Sequence, residues 1–234
     1  MLNCSKSIQS QYGSCNDLLP KLKNIRKIDE GSTAYVYRAR MDDRSVAIKI
    51  MSEKEAMTSE LDIACKASSL GVGPRIIGWI YCREYPPLST VPGRYLYLFM
   101  EYLPYKFEEA LIQGEPLCIL FQILYQLNIL WKNGISHRDI HPQNIFVRED
   151  FLEKEYQIGG NTYNIACQHT VLIGDYGRSV QNTDDHDIDI AQMREFVNNM
   201  FDTIEGINTL EYYLIRNDLE GALQSSLFEL FHQE

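Results

Sequence analysis

The sequence has no run of residues long and apolar enough to read as a membrane span. Its most apolar uncharged stretch, residues 116–131, falls short of the roughly 20 residues a bilayer requires and holds Gln122, Gln126 and Asn128. It lacks a basic start followed by an apolar run, so no secretory leader is expected. Residue 2 is Leu rather than Gly, so no N-myristoyl site is expected either. It lacks a C-x-x-C pair. Cys4, Cys15, Cys65, Cys82, Cys118 and Cys167 are scattered, which predicts neither a zinc site nor a disulfide framework, but reduced and mostly buried thiols in a reducing compartment. It lacks a basic excess: 22 Lys plus Arg stand against 32 Asp plus Glu, for a formal charge of −10. That argues against a general nucleic-acid binder, though it leaves room for a local basic groove. Repeats and low-complexity tracts are also missing. What the chain does have is a core: 45% of its 234 residues are hydrophobic and 11% aromatic, which excludes wholesale disorder. The length suits one large domain or two small lobes. The expectation is a soluble cytoplasmic protein with no membrane insertion and no nucleic-acid partner.

Along the chain, residues 1–23 are polar and weakly periodic and read as a loose arm or a short helix. Residues 28–37 and 44–51 are rich in β-branched and aromatic side chains, with Asp42-Asp43 as a turn between them. Residues 52–70 take helical spacing through Ala56, Leu61, Ile63, Ala64, Ala67 and Leu70, and Gly71-Val72-Gly73-Pro74 stops the helix. Residues 76–82 and 94–102 read as strands. Leu103-Pro104-Tyr105 then interrupts the pattern, and the boundary between two lobes is placed there. Residues 117–132 predict a buried helix ended by Asn133-Gly134. Short strands follow at 145–148, 156–157, 162–165 and 171–173, with Gly159-Gly160-Asn161 as a hairpin turn. From Asp187 onward the pattern is helical. The division is an arm over 1–23, a β-rich lobe over 24–103, and a mainly helical lobe over 104–234 with an inserted hairpin at about 149–170.

Four local signals carry chemistry. In His137-Arg138-Asp139-Ile140-His141-Pro142-Gln143-Asn144, an Asp and an Asn five residues apart share one loop before a strand. A carboxylate can orient a hydroxyl and accept its proton, and an amide oxygen can hold a divalent cation. The bland alternative is a polar turn in which both residues act as caps. Asp175-Tyr176-Gly177 follows the apolar run Val171-Leu172-Ile173 and places a second carboxylate at a strand end, as a metal ligand or an ordinary turn. In Val46-Ala47-Ile48-Lys49 an ammonium inside an apolar strand must reach something polar. An anionic ligand with Glu60 would satisfy it, with Glu53 and Glu55 as rival partners and an edge-strand Lys reaching solvent as the alternative. Gly31-Ser32-Thr33-Ala34-Tyr35-Val36-Tyr37 offers small residues whose amides could approach phosphates, or a plain hairpin turn.

The four signals, in this order, resemble the protein-kinase signature set over about residues 25–200. The stretch 30–39 looks like a degraded glycine-rich loop, 46–49 matches V-A-I-K, 137–144 matches H-R-D-x-x-x-x-N, and 175–177 stands for D-F-G. Leu98-Phe99-Met100-Glu101-Tyr102-Leu103 resembles the strand and hinge facing adenine. The resemblance implies an α+β, two-lobed fold with a β-rich N-lobe and a truncated, mainly helical C-lobe. It implies ATP and Mg²⁺ as cofactors and a protein substrate. ATP would be held by Gly31, Ser32, Thr33, Ala34, Val36, Ala47, Lys49, Glu60, Met100, Glu101 and Leu103. Asn144 and Asp175 would hold the metal, and Asp139, Lys49 and His141 would serve catalysis. About thirty residues separate Asn144 from Asp175, and Arg178 follows the D-Y-G. This inserted hairpin with D-[FY]-G-R is similar to kinases of large DNA viruses, and the Gly-Ser-Thr-Ala stretch to small effector kinases of bacterial pathogens. Either implies a host or viral protein substrate in a host cytoplasm, possession of a virion included.

Departures from the family pattern keep rivals in view. Asp29 and Ala34 stand where two of three glycines would. His141 replaces the Lys of Ser/Thr kinases, as in small-molecule kinases of the aminoglycoside and choline type. Eleven residues lie between Gly177 and Asp189 and no A-P-E follows, so activation-loop phosphorylation is not expected. Asp189 matches the buried Asp that braces the catalytic loop. The reading is a Ser/Thr protein kinase. Its alternatives are a small-molecule kinase and a catalytically weak binding module.

Overall fold

The computed structural model describes residues 8, 11, 13–31, 34–53, 60–83, 92–108, 111 and 116–233. The chain divides into two compact units, Met1–Leu103 and Pro104–Glu234.

The first unit is built on five antiparallel strands: β1 (Lys23–Glu30), β2 (Ala34–Met41), β3 (Arg44–Ser52), β4 (Ile76–Arg83) and β5 (Arg94–Glu101), in the order β1-β2-β3-β5-β4. The stretch 28–37, read as strand-forming with a hairpin turn at Gly31 as one alternative, belongs to two strands. Gly31 N–H donates to the Ala34 carbonyl at 2.9 Å and turns the chain back on itself. Between β2 and β3 the two-residue turn Asp42-Asp43 has both φ angles positive, at 46° and 62°. Such a turn matches the twist of the strands it joins, and Asp tolerates the left-handed region better than most residues. β3 and β5 supply much of the core through Val46, Ile48, Ile50, Tyr97 and Phe99, all essentially without exposed surface. The N-terminal segment is part of this core. Ile8 and the turn α1 (Cys15–Leu18) with its 3₁₀ continuation bury Ile8, Leu18, Leu19 and Leu22 against the sheet. A fully buried side chain of this size contributes about 1.5–3 kcal/mol, which is why the segment is held. Helix α2 (Glu60–Leu70) buries Glu60, Ile63, Ala64 and Ala67 and ends where Gly71 takes φ 74°. The amides of Val72 and Gly73 then donate back to the Ala67 carbonyl.

The second unit is organised around α3 (Pro116–Lys132), which is buried on most sides. Against it lie β8 (Ile145–Arg148), paired with β6 (Tyr105–Lys106) and β11 (Thr170–Ile173), and the hairpin β9 (Leu152–Ile158) and β10 (Asn161–Cys167), joined by β13 (His232–Gln233). The hairpin turns on Gly159-Gly160, at φ 55° and 85°. Its alternating pattern buries Tyr156 and Ile158 on one strand and Tyr163 and Ile165 on the other. Both tyrosine rings meet Phe121 of α3, at centroid distances of 5.4 and 5.7 Å. This insertion is therefore packing for the second unit. β7 (Ile135–Ser136) pairs with β12 (Val180–Gln181), and α4 (Asp187–Met200), α5 (Thr209–Leu214) and α6 (Leu219–Leu223) complete the unit.

The cysteines correct an expectation. Cys15 and Cys82 are disulfide-bonded, as are Cys118 and Cys167, and no described cysteine is a free thiol. The pairs lie 67 and 49 residues apart in sequence. Linear spacing carries no sign of them, because each joins a helix to a strand that tertiary packing alone brings near. No helix among the described residues is long and apolar enough to cross a membrane.

Candidate active site

Each unit carries its own cluster of chemistry-bearing residues. In the first, strand alternation places Ala47 and Lys49 on one face of β3, with Val36 opposite Lys49 on β2. Lys49 Nζ lies 2.5 Å from Glu60 Oε1, and both residues are buried. Glu60 is thus the partner among the described candidates. Glu53 instead pairs with Arg94 at 2.7 Å, and Glu55 lies outside the described residues. Breaking a buried pair of this kind by removing one member typically costs about 3–5 kcal/mol, since the other charge is left uncompensated. Gly31 is exposed at its turn, Ala34 is buried, and Ser32 and Thr33 lie outside the described residues. Met100 sits opposite Ala47 across β3 and β5. Glu101 Oε1 accepts the Arg75 amide at 2.7 Å, and Leu103 is half-buried.

In the second unit the loop 137–144 is tied down from three sides. Asp189, with no exposed surface, accepts at Oδ2 from Trp131 Nε1 (2.9 Å), Ser136 Oγ (3.1 Å) and the His137 amide (2.9 Å). Its Oδ1 accepts the Arg138 amide at 2.5 Å. Four donors on one carboxylate offset the cost of burying it. Gln192, one turn further along α4, accepts the Ile140 amide at 2.8 Å and donates to the Arg138 carbonyl at 3.1 Å. Ser179 Oγ donates to the His137 carbonyl at 3.0 Å. Held this way, Arg138 takes φ 62°, a strained conformation that only over-determined surroundings maintain.

The side chains so positioned converge. Asn144 Nδ2 donates to the Asp139 carbonyl at 2.9 Å and to Asp139 Oδ2 at 3.1 Å, and lies 3.0 Å from His141 Nε2. The two Nδ2 hydrogens are shared among these three contacts, and the role of His141 Nε2 follows its tautomer. His141 Nε2 is 3.5 Å from Asp139 Oδ2, and Arg178 Nη1 is 3.0 Å from Asp139 Oδ1. Asn144 Oδ1 accepts no hydrogen bond among the described residues. Gly174 N–H donates to the Asn144 carbonyl at 2.9 Å, so the segment bearing Asp175 is fastened to the loop. Asp175 is exposed, takes φ 58°, and accepts the Gly177 amide at 3.2 Å, which starts the 3₁₀ turn Tyr176–Arg178. His137 is fully buried between the two segments, with Nε2 2.9 Å from the Gly174 carbonyl and its ring edge-on to Tyr176. Burial holds its pKa below the ordinary 6.5, against the opposing pull of Asp189, Asp175 and Asp139.

Residues 22–201 match the protein kinase domain family. The chain belongs to the protein kinase family. Among curated relatives, this kinase is 32% identical over 152 residues to a probable serine/threonine-protein kinase of Clostridium acetobutylicum, covering 59% of this chain and 22% of that protein. It is 26% identical over 152 residues to the dual specificity protein kinase zak2 of Dictyostelium discoideum, covering 65% and 21%. It is 31% identical over 136 residues to the serine/threonine-protein kinase unc-51 of Caenorhabditis elegans, covering 51% and 15%. The matches therefore span less than a quarter of each relative's length. Among solved structures, a crystallised kinase domain aligns over 72% of this chain and 54% of its own at TM-score 0.48 and 19% identity. The β-rich first unit and helical second unit are those of a truncated kinase-like fold.

Several residues that build this kinase's site were not singled out from the sequence. Arg178 was noted as part of a motif but not as a neighbour of Asp139. Gln192 resembles any polar residue on an amphipathic helix. Gln122 and Gln126 on α3 were read only as polar interruptions. They bracket the strand that delivers Asp175: Gln122 takes the Val171 amide at 2.9 Å and donates to the His169 carbonyl at 3.0 Å, while Gln126 takes the Ile173 amide at 3.1 Å and donates to the Val171 carbonyl. Their signal was the i, i+4 spacing of two amides within a helix that buries most of the positions around them.

Proposed function

We propose that this chain is a minimal Mg²⁺- and ATP-dependent protein phosphotransferase acting on Ser or Thr hydroxyls. The observation that carries the reading is the Asp139, His141, Asn144 and Arg178 cluster, fixed from behind by buried Asp189. Bound Mg²⁺-ATP supplies the γ-phosphoryl group and neutralises its charge. The donor set suits it: Asn144 Oδ1 and the Asp175 carboxylate are hard oxygen ligands, and Mg²⁺ takes one or two such groups together with phosphates and water. Lys49, set by Glu60, would hold the α- and β-phosphates. Val36, Ala47, Met100, Glu101 and Leu103 would flank the adenine, with the Gly31 turn near the phosphates. Asp139 orients the acceptor hydroxyl and takes its proton. Arg178 adds the positive charge beside Asp139 that His141 lacks when neutral. The acceptor would be a host or viral protein in a host cytoplasm, on the D-Y-G-R and hairpin resemblance. A second reading, phosphoryl transfer to a small molecule, is favoured by His141 and by the short segment between Gly177 and Asp189.

The test is transfer of labelled γ-phosphate from Mg²⁺-ATP to casein, basic protein or the enzyme itself, with wild type beside Asp139→Asn. Loss of a general base costs about 10²- to 10⁴-fold, so the variant should be nearly silent with nucleotide binding retained. Equal turnover by the variant sinks the assignment. Label on sugars, choline or an aminoglycoside and none on protein decides for the second reading. Absence of both transfer and nucleotide binding leaves a binding module.

A further inference from the structure

In a chain of formal charge −10, the outer strands of the first unit collect cations on one face. Lys23 of β1 stands directly opposite Arg40 of β2, and Arg26 opposite Arg38. Like charges directly opposite one another destabilise a strand pair. The arrangement also requires a device. Lys23 and Arg26 are three residues apart, so in a regular strand they would point to opposite faces. A β-bulge between them, with Asn24 at φ 52°, inserts the extra residue that brings both onto one face. A left-handed Asn in the bulge thus sets like charges opposite one another, at a cost in stability to the isolated fold.

The three arginines line a recess of about 430 Å³ with Asn24, Ala39, Asp43 and Ser45. Arg38 is preset, its guanidinium 4.5 Å from the Tyr102 ring centroid and 3.2 Å from Ser45 Oγ. Arg40 lies 3.2 Å from Asp43, with both side chains exposed. Arg26 has no ion pair among the described residues. Three guanidiniums therefore face a single carboxylate. The recess lies on the Lys49 face: Arg40, Arg38 and Val36 of β2 stand opposite Ser45, Ala47 and Lys49 of β3.

We propose that this recess binds a phosphorylated Ser or Thr side chain in a segment of a protein partner. The charge requires an anion. Forked guanidiniums match phosphate oxygens in pairs, and a compact dianion neutralises the excess from one position. A nucleic acid would need a longer track of cations to offset repulsion from the acidic remainder of the chain.

Fluorescence anisotropy tests this with a labelled phosphoserine peptide of otherwise neutral residues. The comparison probes are the unphosphorylated peptide and a single-stranded oligonucleotide of equal length. The phosphopeptide should bind at least tenfold tighter than either, weaken as salt is raised, and be displaced by inorganic phosphate at high concentration. Arg26→Gln and Arg40→Gln should each weaken it about tenfold or more. Arg26→Gln should also leave the Tm unchanged or raised, since it removes a repulsion, and should leave phosphoryl transfer to generic protein acceptors unchanged. Equal binding of the two peptides, wild-type affinity in both variants, or preference for the oligonucleotide overturns the proposal. Because binding is read without turnover, its outcome is separable from that of the phosphotransferase reading.

Discussion

Asp189 has no exposed surface, yet four donors from three segments end on its carboxylate. Bonds to a charged group contribute about 1.5–3 kcal/mol each, so this side chain does more to order the loop 137–144 than any residue within it. It was legible in the sequence because an Asp opens a helix soon after the D-x-G. The reach of Gln192 and Arg178 was not, because nothing in a polar side chain's identity tells which backbone group it meets. His137 makes the residue scale testable by pH. Burial depresses its pKa below the ordinary 6.5, so the unfolded chain binds the proton more readily than the folded one. The stability this confers is complete above about pH 6.5 and is lost as pH falls through the lower folded value. Half-buried His186, also depressed by burial, acts in the same direction. Thermal denaturation should show Tm falling between about pH 7 and pH 5, and His137→Phe should flatten that slope, leaving the part due to His186. A slope unaltered by the substitution would assign acid sensitivity elsewhere.

Elements were legible to the degree that their pattern is local. The strand-forming residues of 44–51 marked β3, and the unbroken apolar run marked α3. The turn at Gly31 was legible as one of two readings, a plain hairpin turn or a phosphate-contacting loop, because Asp-Glu-Gly-Ser interrupts the strand formers on either side. The hairpin β9–β10 is longer than expected, since its exposed positions are charged and only the buried tyrosines and isoleucines betray the alternation. The contact between α3 and β11 is a tertiary feature that no local pattern encodes. Gln122 and Gln126 act there as a second strand edge, meeting both amides and carbonyls of 169–173. Gln126→Leu removes the partners of two buried backbone groups, each costing about 1–3 kcal/mol when left unsatisfied. Chemical denaturation should therefore show a loss of about 2–6 kcal/mol. If the variant folds, Asp175 loses its firm footing, and transfer activity should fall further than Tm alone accounts for. A loss under about 1 kcal/mol would mean that the leucine repacks and the amide clamp is dispensable.

At the scale of the whole molecule, each unit carries a long-range covalent tie. Cys15–Cys82 fastens the N-terminal segment to β4, and Cys118–Cys167 fastens α3 to the hairpin. Closing loops of 67 and 49 residues removes unfolded-state entropy worth about 4 kcal/mol each in the chain-entropy account. At about 2–4 °C per kcal/mol, reduction should lower the Tm by about 15 °C or more, with Cys15→Ser and Cys118→Ser each reproducing part of the drop. Non-reducing electrophoresis should resolve the oxidised chain as the more compact band. Identical melting of oxidised and reduced protein would make the bonds energetically idle.

The brace on the catalytic loop also has a consequence for the growing chain. Arg138 and its anchor are 51 residues apart, and the anchor comes second. A ribosome adding about 5–20 residues per second completes the loop roughly 3–10 s before Asp189 exists. Throughout that interval Arg138 has nothing to hold it in its left-handed conformation, and the polypeptide carries every residue of the signature loop without its shape. The shape of the loop arrives with the start of α4, not with the loop itself.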